Sequence, residues 1–456
     1  MTMRGTVTFM LLLAIAPAYA KDFYMAPEGS DANDGTIDKP FLTITKAQAA
    51  VQPGDTVFMR GGKYSVTAAQ IVNRNAGNAV HVFEIAKSGT EKAPINYFSY
   101  KDERAVFDFA TVKPGPRVYA FYVTASWIHF KGFEVTGIQV TQTGHTQSEC
   151  FENHGSNNIY EQLKMHDGMA IGYYALAGAN NLVLNCDAWN NWDSVSEGGK
   201  GGNTDGFGCH VAKGGTGNVF RHCRAWYNSD DGYDCINCTE AVLFDHCWAM
   251  YNGFTPDHRS AGDGNGFKAG GYGKPPSRVP NPIPRNTVQF CLAVGNKAAG
   301  YYANHHTGGA DWLNNTAFGN ANNYNMLEIS LSNNADIPGP NAFMRNNLGY
   351  KSGREFINLD VAQSDIANNY FNLGPGGGAL AITDADFLSL DEKQLVGPRK
   401  ADGSLPEVTF MHLAPGSKLI DKGVEIKNAK GEVRFAFEGA KPDLGCFESS
   451  GTSPKP

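Results

Sequence analysis

A short phrase that recurs along the chain constrains its fold more than any other feature. The phrase is Cys or Asn, any residue, a small residue, two further residues and then Asn. Its anchors are Cys186, Cys223, Cys247, Cys291 and Asn315, with weaker copies at Asn347 and Asn369. The anchors lie 37, 24, 44, 24, 32 and 22 residues apart, which indicates a unit of about 22 to 24 residues with insertions. Such a period is typical of a solenoid.

The segments between the anchors are short, alternate apolar and polar residues, and are bounded by Gly, Asn or Asp. The chain holds 39 Asn, of which 33 lie between Asn153 and Asn372, and 53 Gly, so tight turns are expected to be many and long helices few. Stacked short strands in a parallel β-helix fit this pattern best. Equivalent residues then lie about 4.8 Å apart on successive coils.

The same stacking gives the anchor cysteines a structural role. We expect Cys186, Cys223, Cys247 and Cys291 to form one interior column, continued by Asn315, Asn347 and Asn369, because free cysteine behaves as a small buried hydrophobe. The segment from Ser417 to Glu448 is interpreted as closing coils. No linker divides the chain, so residues 21–456 are predicted to form a single elongated all-β domain.

The charge balance limits the partners. Hydrophobic residues make up 42% of the 456 residues, which supports a large core and excludes global disorder. A net charge of −7 argues against a general electrostatic grip on nucleic acid. No segment after the first twenty residues has the roughly 20 apolar residues of a membrane span. A monomer without a nucleic-acid or membrane partner is expected.

The first twenty residues have the pattern of a secretory signal peptide. A single charge at Arg4 precedes an apolar run from Phe9 to Ala16, and the segment ends in Ala18-Tyr19-Ala20. The apolar run is too short to span a bilayer, and the ending suits a signal-peptide cleavage site. Residues 1–20 are therefore predicted to be removed, and the mature protein is predicted to be periplasmic or secreted.

Three segments within the repeats can be overlaid: 205–209, 231–235 and 265–269. If each takes the same place on successive coils, one column contains Asp205, Asp231 and Asn265. The neighbouring column then contains Gly208, Asp234 and Lys268. With Asp230 included, four carboxylates would meet one lysine in a small patch.

Carboxylates about 5 Å apart repel one another, and one lysine does not balance four of them. Calcium accepts six to eight oxygen ligands, so Asp205, Asp230, Asp231 and Asp234 form a plausible calcium site; the alternative is an ordinary polar turn. Lys268 either pairs with Asp234 or serves as a general base. Beside a bound calcium ion its pKa should fall from about 10.4, because like charge disfavours the ammonium form.

At these residues the sequence closely resembles polysaccharide lyase family 9. The most specific matches are Asn203-Thr-Asp-Gly-Phe207, Asn228-Ser-Asp-Asp-Gly-Tyr-Asp234 and Gly264-Asn-Gly-Phe-Lys268, and the resemblance covers nearly the whole mature chain. It implies a right-handed parallel β-helix that cleaves uronic-acid polymers by β-elimination. It also implies calcium at Asp205, Asp230, Asp231 and Asp234, with Lys268 as the base.

Within that family the expected substrate is a galacturonate-containing pectic backbone, either rhamnogalacturonan I or homogalacturonan (pectate). Overall similarity around residues 150–202 and 301–327 favours the rhamnogalacturonan type. Arg259, His305 and His306 lie in segments expected to line the groove and are candidates for sugar contacts. For each of them a solvated loop role is the alternative.

Two other functions are compatible with parts of the pattern. Asn203-Thr-Asp-Gly206 and the Asp230-Asp231 pair resemble two motifs of polygalacturonase-like hydrolases, which need two carboxyl groups about 6.5 to 9.5 Å apart. That reaction leaves Asp234 and Lys268 without a role, and the other two motifs of those hydrolases are missing. A calcium-stabilised β-helical adhesin without catalytic activity is the second alternative.

Overall fold

The strands of the chain stack into three long sheets that wind around a common interior. A computed structural model describes residues 20–373 and 378–449. Within them, almost every strand pairs in parallel with the strands one coil before and one coil after it. The predicted parallel β-helix is therefore confirmed. The signal-peptide prediction falls on residues 1–20, of which all but Ala20 lie outside the described ranges, so it stays a prediction.

The first sheet has twelve parallel strands: Asp22–Met25, Thr56–Met59, Ile95–Ser99, Ile128–Lys131, Ile159–Glu161, Leu182–Leu184, Asn218–Arg221, Val242–Asp245, Thr287–Gln289, Asp311–Leu313, Phe343–Arg345 and Asp365–Ala367. The second has ten: Gly62–Ser65, Ala105–Asp108, Glu134–Thr136, Lys164–His166, Asp187–Trp189, Arg224–Trp226, Trp248–Met250, Leu292–Val294, Thr316–Phe318 and Leu348–Tyr350.

The third sheet has eleven strands: Asn73–Ala76, Ala79–Ile85, Arg117–Val123, Ser148–Asn153, Ala170–Ala175, Phe207–Cys209, Tyr233–Asp234, Phe267–Lys268, Ala299–Tyr302, Asn322–Asn325 and Arg354–Ile357. Only its first pair is antiparallel. A separate antiparallel hairpin joins Leu327–Ile329 to Asp336–Pro338. The described helices are Ile44–Ala50 and four 3-10 segments: Ala68–Gln70, Ser196–Gly198, Asp384–Asp386 and Glu392–Val396. No helix in the described ranges has the length and apolar character to cross a bilayer.

The anchors of the repeat form the predicted interior column. Cys186, Cys223, Cys247 and Cys291 are fully buried, and the backbone N–H of Cys291 donates to Asn315 Oδ1 at 3.0 Å. Asn347 and Asn369 continue the column through the same kind of bond. The residue before each anchor has a left-handed backbone, for example His222 at φ 53° and Asn314 at φ 50°. The tight turns inferred from the abundance of Asn are therefore present.

The last Asn of each phrase forms a second interior column. Asn252 is fully buried; its Nδ2 donates to Asn296 Oδ1 at 3.0 Å and to the Ala225 carbonyl at 3.1 Å. Its Oδ1 accepts from the backbone N and from Nδ2 of Asn228 at 3.2 and 3.1 Å. Each Asn thus ties its own coil to the coils before and after it.

Replacing Asn252 with Ala should lower the free energy of unfolding by about 2–4 kcal/mol, because it removes these bonds and leaves buried partners unsatisfied. The midpoint of urea unfolding at constant m-value measures the change. Asn75→Ala is the control, since Asn75 is exposed and its side chain makes no hydrogen bond in the described structure; we expect a change within about 0.5 kcal/mol. Equal shifts in the two variants would show that the column does not stabilise the fold.

The closing-coil prediction for Ser417 to Glu448 is wrong. Within 378–449 the chain adds no strand to the three sheets and runs back along the side of the coils instead. Arg399 Nη2 lies 2.7 Å from Asp187 Oδ1, and the backbone N of Cys446 donates to Thr316 Oγ1 at 2.9 Å. This segment lacks the recurring phrase, so it has no Asn or Cys side chains with which to extend the interior columns.

Candidate active site

The three overlaid segments lie on adjacent coils of the third sheet in the predicted register. Gly208 pairs with Asp234, and Asp234 pairs with Lys268, on three consecutive parallel strands. The residue before each of them points inward: Phe207, Tyr233 and Phe267 stack with ring centroids 5.1 and 4.6 Å apart. Because side chains alternate along a strand, this inward ladder makes Asp234 and Lys268 project outward from the same face.

The second predicted column is also present, at the turns that lead into these strands. Asp205 Oδ1 accepts the backbone N–H of Asp231 at 3.0 Å. Asp231 Oδ1 in turn accepts the backbone N–H and the Nδ2 of Asn265, at 2.6 and 2.9 Å. Each acidic side chain therefore bonds to the coil that follows it, and this fixes the position of its carboxyl group.

The carboxylates converge into a buried cluster. Asp205, Asp231 and Asp234 each offer a carboxylate oxygen, and these oxygens lie within 4.8 Å of one another. Asp230 is not one of these three; its Oδ1 accepts the backbone N–H of Asp263 at 2.8 Å. Burial, then the carboxylates of Asp230, Asp234 and Asp231, raises the pKa of Asp205 well above its ordinary value. Burial is also the main cause that raises the pKa of Asp230 and Asp231.

Lys268 lies against this cluster. Its Nζ is 3.0 Å from Asp234 Oδ2 and 3.1 Å from Asp231 Oδ2. The atom that pairs with Asp234 is therefore the same atom that would act as the general base. Its side chain is only 13% exposed. Burial alone would lower its pKa, but the carboxylates of Asp234, Asp231 and Asp205 outweigh burial and raise it. The protein groups alone therefore raise the pKa of Lys268, whereas the sequence predicts that it falls. The predicted fall requires a cation beside Lys268.

The donor set fits a hard divalent cation. Asp231 Oδ2 is buried and has no hydrogen-bond partner in the described structure, because its contact with Lys268 lacks hydrogen-bond geometry. Lys268 is the one cation paired with Asp231 and Asp234, and Asp205 has no ion pair among the described residues, so the buried cluster keeps an excess of negative charge that a metal ion or protons must compensate. Three converging carboxylates with further oxygen atoms nearby are ligands that calcium accepts. Asp205, Asp231 and Asp234 would hold the ion, with Asp230 at the edge of the cluster.

The three weaker candidates occupy different surroundings. Arg259 is exposed, pairs with Asp257 at 2.9 Å and lies over the Trp192 ring at 5.0 Å, in the insertion whose Asp263 backbone binds Asp230. His305 Nε2 is 3.2 Å from Oδ1 of Asp336, which lies on the antiparallel hairpin.

His306 is buried, and both of its ring nitrogens are within hydrogen-bond distance of backbone atoms: Nε2 with the Pro284 carbonyl at 2.7 Å and Nδ1 with the Gly271 N at 3.2 Å. These contacts leave no ring nitrogen for a sugar and give His306 a role in fixing the segment after Lys268.

Sequence reasoning missed two tyrosines that continue the outward column. Tyr174 pairs with Gly208 one coil before the cluster, and Tyr302 pairs with Lys268 one coil after it. The signal was available: the triplet of Gly, an aromatic residue and an outward residue occurs at 172–174, 206–208, 232–234, 266–268 and 300–302. The overlay covered only the three inner coils, where the outward residues include ionisable ones.

Comparisons with known proteins agree with this arrangement. A family model described as the Pel9A-like, right handed beta helix region matches residues 23–341. Pectate lyase L of Dickeya dadantii (strain 3937) is 32% identical over 431 residues, which cover 93% of this chain and 90% of that protein.

Two solved structures are similar over most of their length. A rhamnogalacturonan lyase is 46% identical with a TM-score of 0.83, covering 87% of this chain and 97% of its own. The pectate lyase Pel9A is 31% identical with a TM-score of 0.75, covering 94% of this chain and 96% of its own. The predicted right-handed parallel β-helix is therefore confirmed, and the chain belongs to polysaccharide lyase family 9.

Proposed function

We propose that this lyase cleaves the galacturonate-containing backbone of pectic polysaccharides by calcium-dependent β-elimination, with Lys268 as the base. One observation carries the proposal: Lys268 Nζ lies within 3.1 Å of two carboxylates of a buried cluster whose oxygens converge within 4.8 Å. The only amine in the cluster is thus beside the place where a substrate carboxylate and a cation would meet. The pectate and rhamnogalacturonan lyases among the relatives support the reaction and the substrate class.

In the proposed reaction, Asp205, Asp231 and Asp234 would hold the cation and Asp230 would add negative charge beside them. A bound calcium ion supplies the positive charge that neutralises the galacturonate carboxylate and makes the proton on carbon 5 more acidic. Lys268 Nζ takes that proton; the electron pair forms a double bond between carbons 4 and 5. The bond from carbon 4 to the glycosidic oxygen breaks, and that oxygen gains a proton from the surroundings. Lys268 can act as a base only after it has lost its own proton. Because the carboxylates of Asp231 and Asp234 favour its protonated form, their negative charge must be neutralised first.

We expect rhamnogalacturonan I to be the preferred substrate. The outward column of the third sheet reads Glu84, Tyr122, Glu152, Tyr174, Gly208, Asp234, Lys268, Tyr302 and Asn325. Among these nine positions, all described, Lys268 is the single cation. Homogalacturonan carries a carboxylate on every sugar, whereas neutral rhamnose alternates with galacturonate in rhamnogalacturonan I and lowers the repulsion from this face. The 46% identity to a rhamnogalacturonan lyase supports the same preference.

Incubation with the two purified polymers tests both parts of the proposal. Near-ultraviolet absorbance of the unsaturated ends should rise with either polymer in the presence of calcium, faster with rhamnogalacturonan I than with homogalacturonan, and should stop rising when a chelator removes the calcium. New reducing ends without absorbance would identify a hydrolase, and neither signal would identify a non-catalytic adhesin. A faster rate on homogalacturonan would contradict the substrate preference alone.

Export by removal of residues 1–20 is part of the proposal and rests on the sequence pattern described above. Lys21 is then the first residue of the mature enzyme, which N-terminal sequencing of the exported protein checks. A monomer in the periplasm or outside the cell is the form in which we expect it to meet its polymer.

A further inference from the structure

Two tyrosines flank the reactive pair in one straight column of the third sheet. Tyr174 lies two coils before Asp234, with Gly208 between them, and Tyr302 lies one coil after Lys268. From Tyr174 to Tyr302 the column makes four steps of about 4.8 Å, or about 19 Å along the axis of the β-helix. Side chains at both ends of such a span can contact different sugars of one polymer.

The ring of Tyr174 stacks on one neighbour and lies over a glycine. It stacks on His210 with centroids 4.4 Å apart and planes inclined by 19°. His210 Nδ1 is 2.6 Å from the carbonyl oxygen of Ile236, which fixes the imidazole. Gly208 provides the space: a methyl carbon added there would lie 2.7 Å from Tyr174 Cδ2. The Tyr174 ring therefore lies over Gly208, on the side of Asp234.

Tyr302 occupies the corresponding place beyond the base. It pairs in register with Lys268, and its ring lies 6.2 Å from that of His305, edge to face. Burial raises the pKa of Tyr302 to about 12, so the phenol stays protonated at neutral pH and can donate a hydrogen bond.

The hydroxyl groups of these two residues differ from those of the inward tyrosines. Tyr233 and Tyr301 point into the core and donate to backbone carbonyls, for example Tyr301 to the Cys291 carbonyl at 2.6 Å. Tyr174 and Tyr302 are only partly buried, and neither hydroxyl has a hydrogen-bond partner among the described residues. A phenol donor that is open on one side and lies beside carboxylates is suited to a hydroxyl or carboxylate group of a sugar.

We propose that Tyr174 and Tyr302 are sugar-binding residues on opposite sides of the reacting galacturonate, so that the polymer lies along the β-helix axis across the aspartate cluster. This inference rests on the proposed function, because it takes the cluster and Lys268 as the point of cleavage. It adds the direction of the chain and two neutral contacts to sugars that do not react.

Tyr174→Phe and Tyr302→Phe test the inference, because each removes one hydroxyl group and keeps the ring. Tyr24→Phe is the control: Tyr24 is a partly buried tyrosine on the first sheet whose hydroxyl also lacks a hydrogen bond in the described structure. On rhamnogalacturonan I, each groove variant should raise KM by roughly three- to tenfold, with kcat within about twofold of the wild type. Tyr24→Phe should change neither constant.

A second measurement needs no turnover. A pectic oligosaccharide is titrated by calorimetry, in the presence of calcium, into Lys268→Met protein with and without each tyrosine substitution. The affinity should fall by the same factor as KM rises. Unchanged KM and unchanged oligosaccharide affinity in both groove variants of an active enzyme would overturn this inference alone. A wild-type protein that releases no unsaturated ends from either polymer would instead overturn the proposed function.

Discussion

Replacing Lys268 with methionine should lower kcat on pectic polymer by about 10²- to 10⁴-fold, the range that a positioned proton acceptor contributes. Methionine keeps most of the length of the side chain but cannot take the proton from carbon 5. The rate of increase in near-ultraviolet absorbance measures the loss. Lys268→Arg should be almost as inactive, because a guanidinium group keeps its positive charge and its proton at neutral pH.

The matched control for this prediction is Lys131→Met. Lys131 pairs with Glu161 at 2.8 Å on the first sheet, far in sequence and on a different sheet from the cluster. Its kcat should stay within about twofold of the wild type. A Lys268→Met enzyme that keeps the circular-dichroism spectrum of the wild type and more than about a tenth of its kcat would contradict the role of Lys268 as base.

Replacing Asp205 with asparagine should weaken calcium binding and, at the same time, stabilise the calcium-free protein at pH 8. The pKa of Asp205 is raised in the folded state by burial and by the neighbouring carboxylates. Its charge therefore destabilises the fold at any pH above the folded pKa, and this cost disappears as the pH falls toward the unfolded value of about 3.9. Asparagine carries no charge and keeps an oxygen that can accept the backbone N–H of Asp231.

Two measurements check the Asp205→Asn prediction. The calcium affinity measured by calorimetry should fall at least about 10- to 100-fold. Removal of a group that only orients a metal ligand already lowers metal affinity by that range, and Asp205 is a proposed ligand itself. In chelator at pH 8, the melting temperature should rise by about 1–3 °C over the wild type, and the gain should shrink at pH 5.

Asp257→Asn serves as the control for Asp205→Asn, since Asp257 is an exposed acid outside the cluster. It should alter neither calcium affinity nor melting temperature. Wild-type calcium affinity in Asp205→Asn would count against the cluster as the metal site. A lower melting temperature in chelator at pH 8 would contradict the destabilising charge of Asp205.

Much of this architecture can be predicted from the sequence because successive coils of a β-helix place similar residues directly above one another. Asn252 bonds to Asn228 and Asn296 only when each coil presents the same residue at the same place. The physical contact thus requires a repeat, and the repeat is visible in the sequence. The columns that hold Asp231 and Lys268 were predictable for the same reason, since the β-helix places segments 205–209, 231–235 and 265–269 at equivalent positions on successive coils.

Other features depend on contacts between segments that are not part of the repeat, and these contacts leave no pattern in the sequence. Arg399 binds Asp187 across 212 residues, and the segment that carries it has no periodic pattern. Tyr174 and Tyr302 were not identified from the sequence because a tyrosine in a β-rich chain is ordinarily a packing residue. Only the structure shows that their hydroxyl groups have no hydrogen-bond partner within residues 20–373 and 378–449.

A crystal structure of the Lys268→Met enzyme with calcium and a pectic oligosaccharide would show whether the aspartate cluster holds both the metal and the substrate. We expect a calcium ion about 2.3–2.6 Å from oxygens of Asp205, Asp231 and Asp234. We also expect a galacturonate carboxylate on that ion, with carbon 5 facing the side chain of residue 268. A sugar and a calcium ion bound elsewhere on the β-helix, with the aspartate cluster free of both, would contradict the proposed active site.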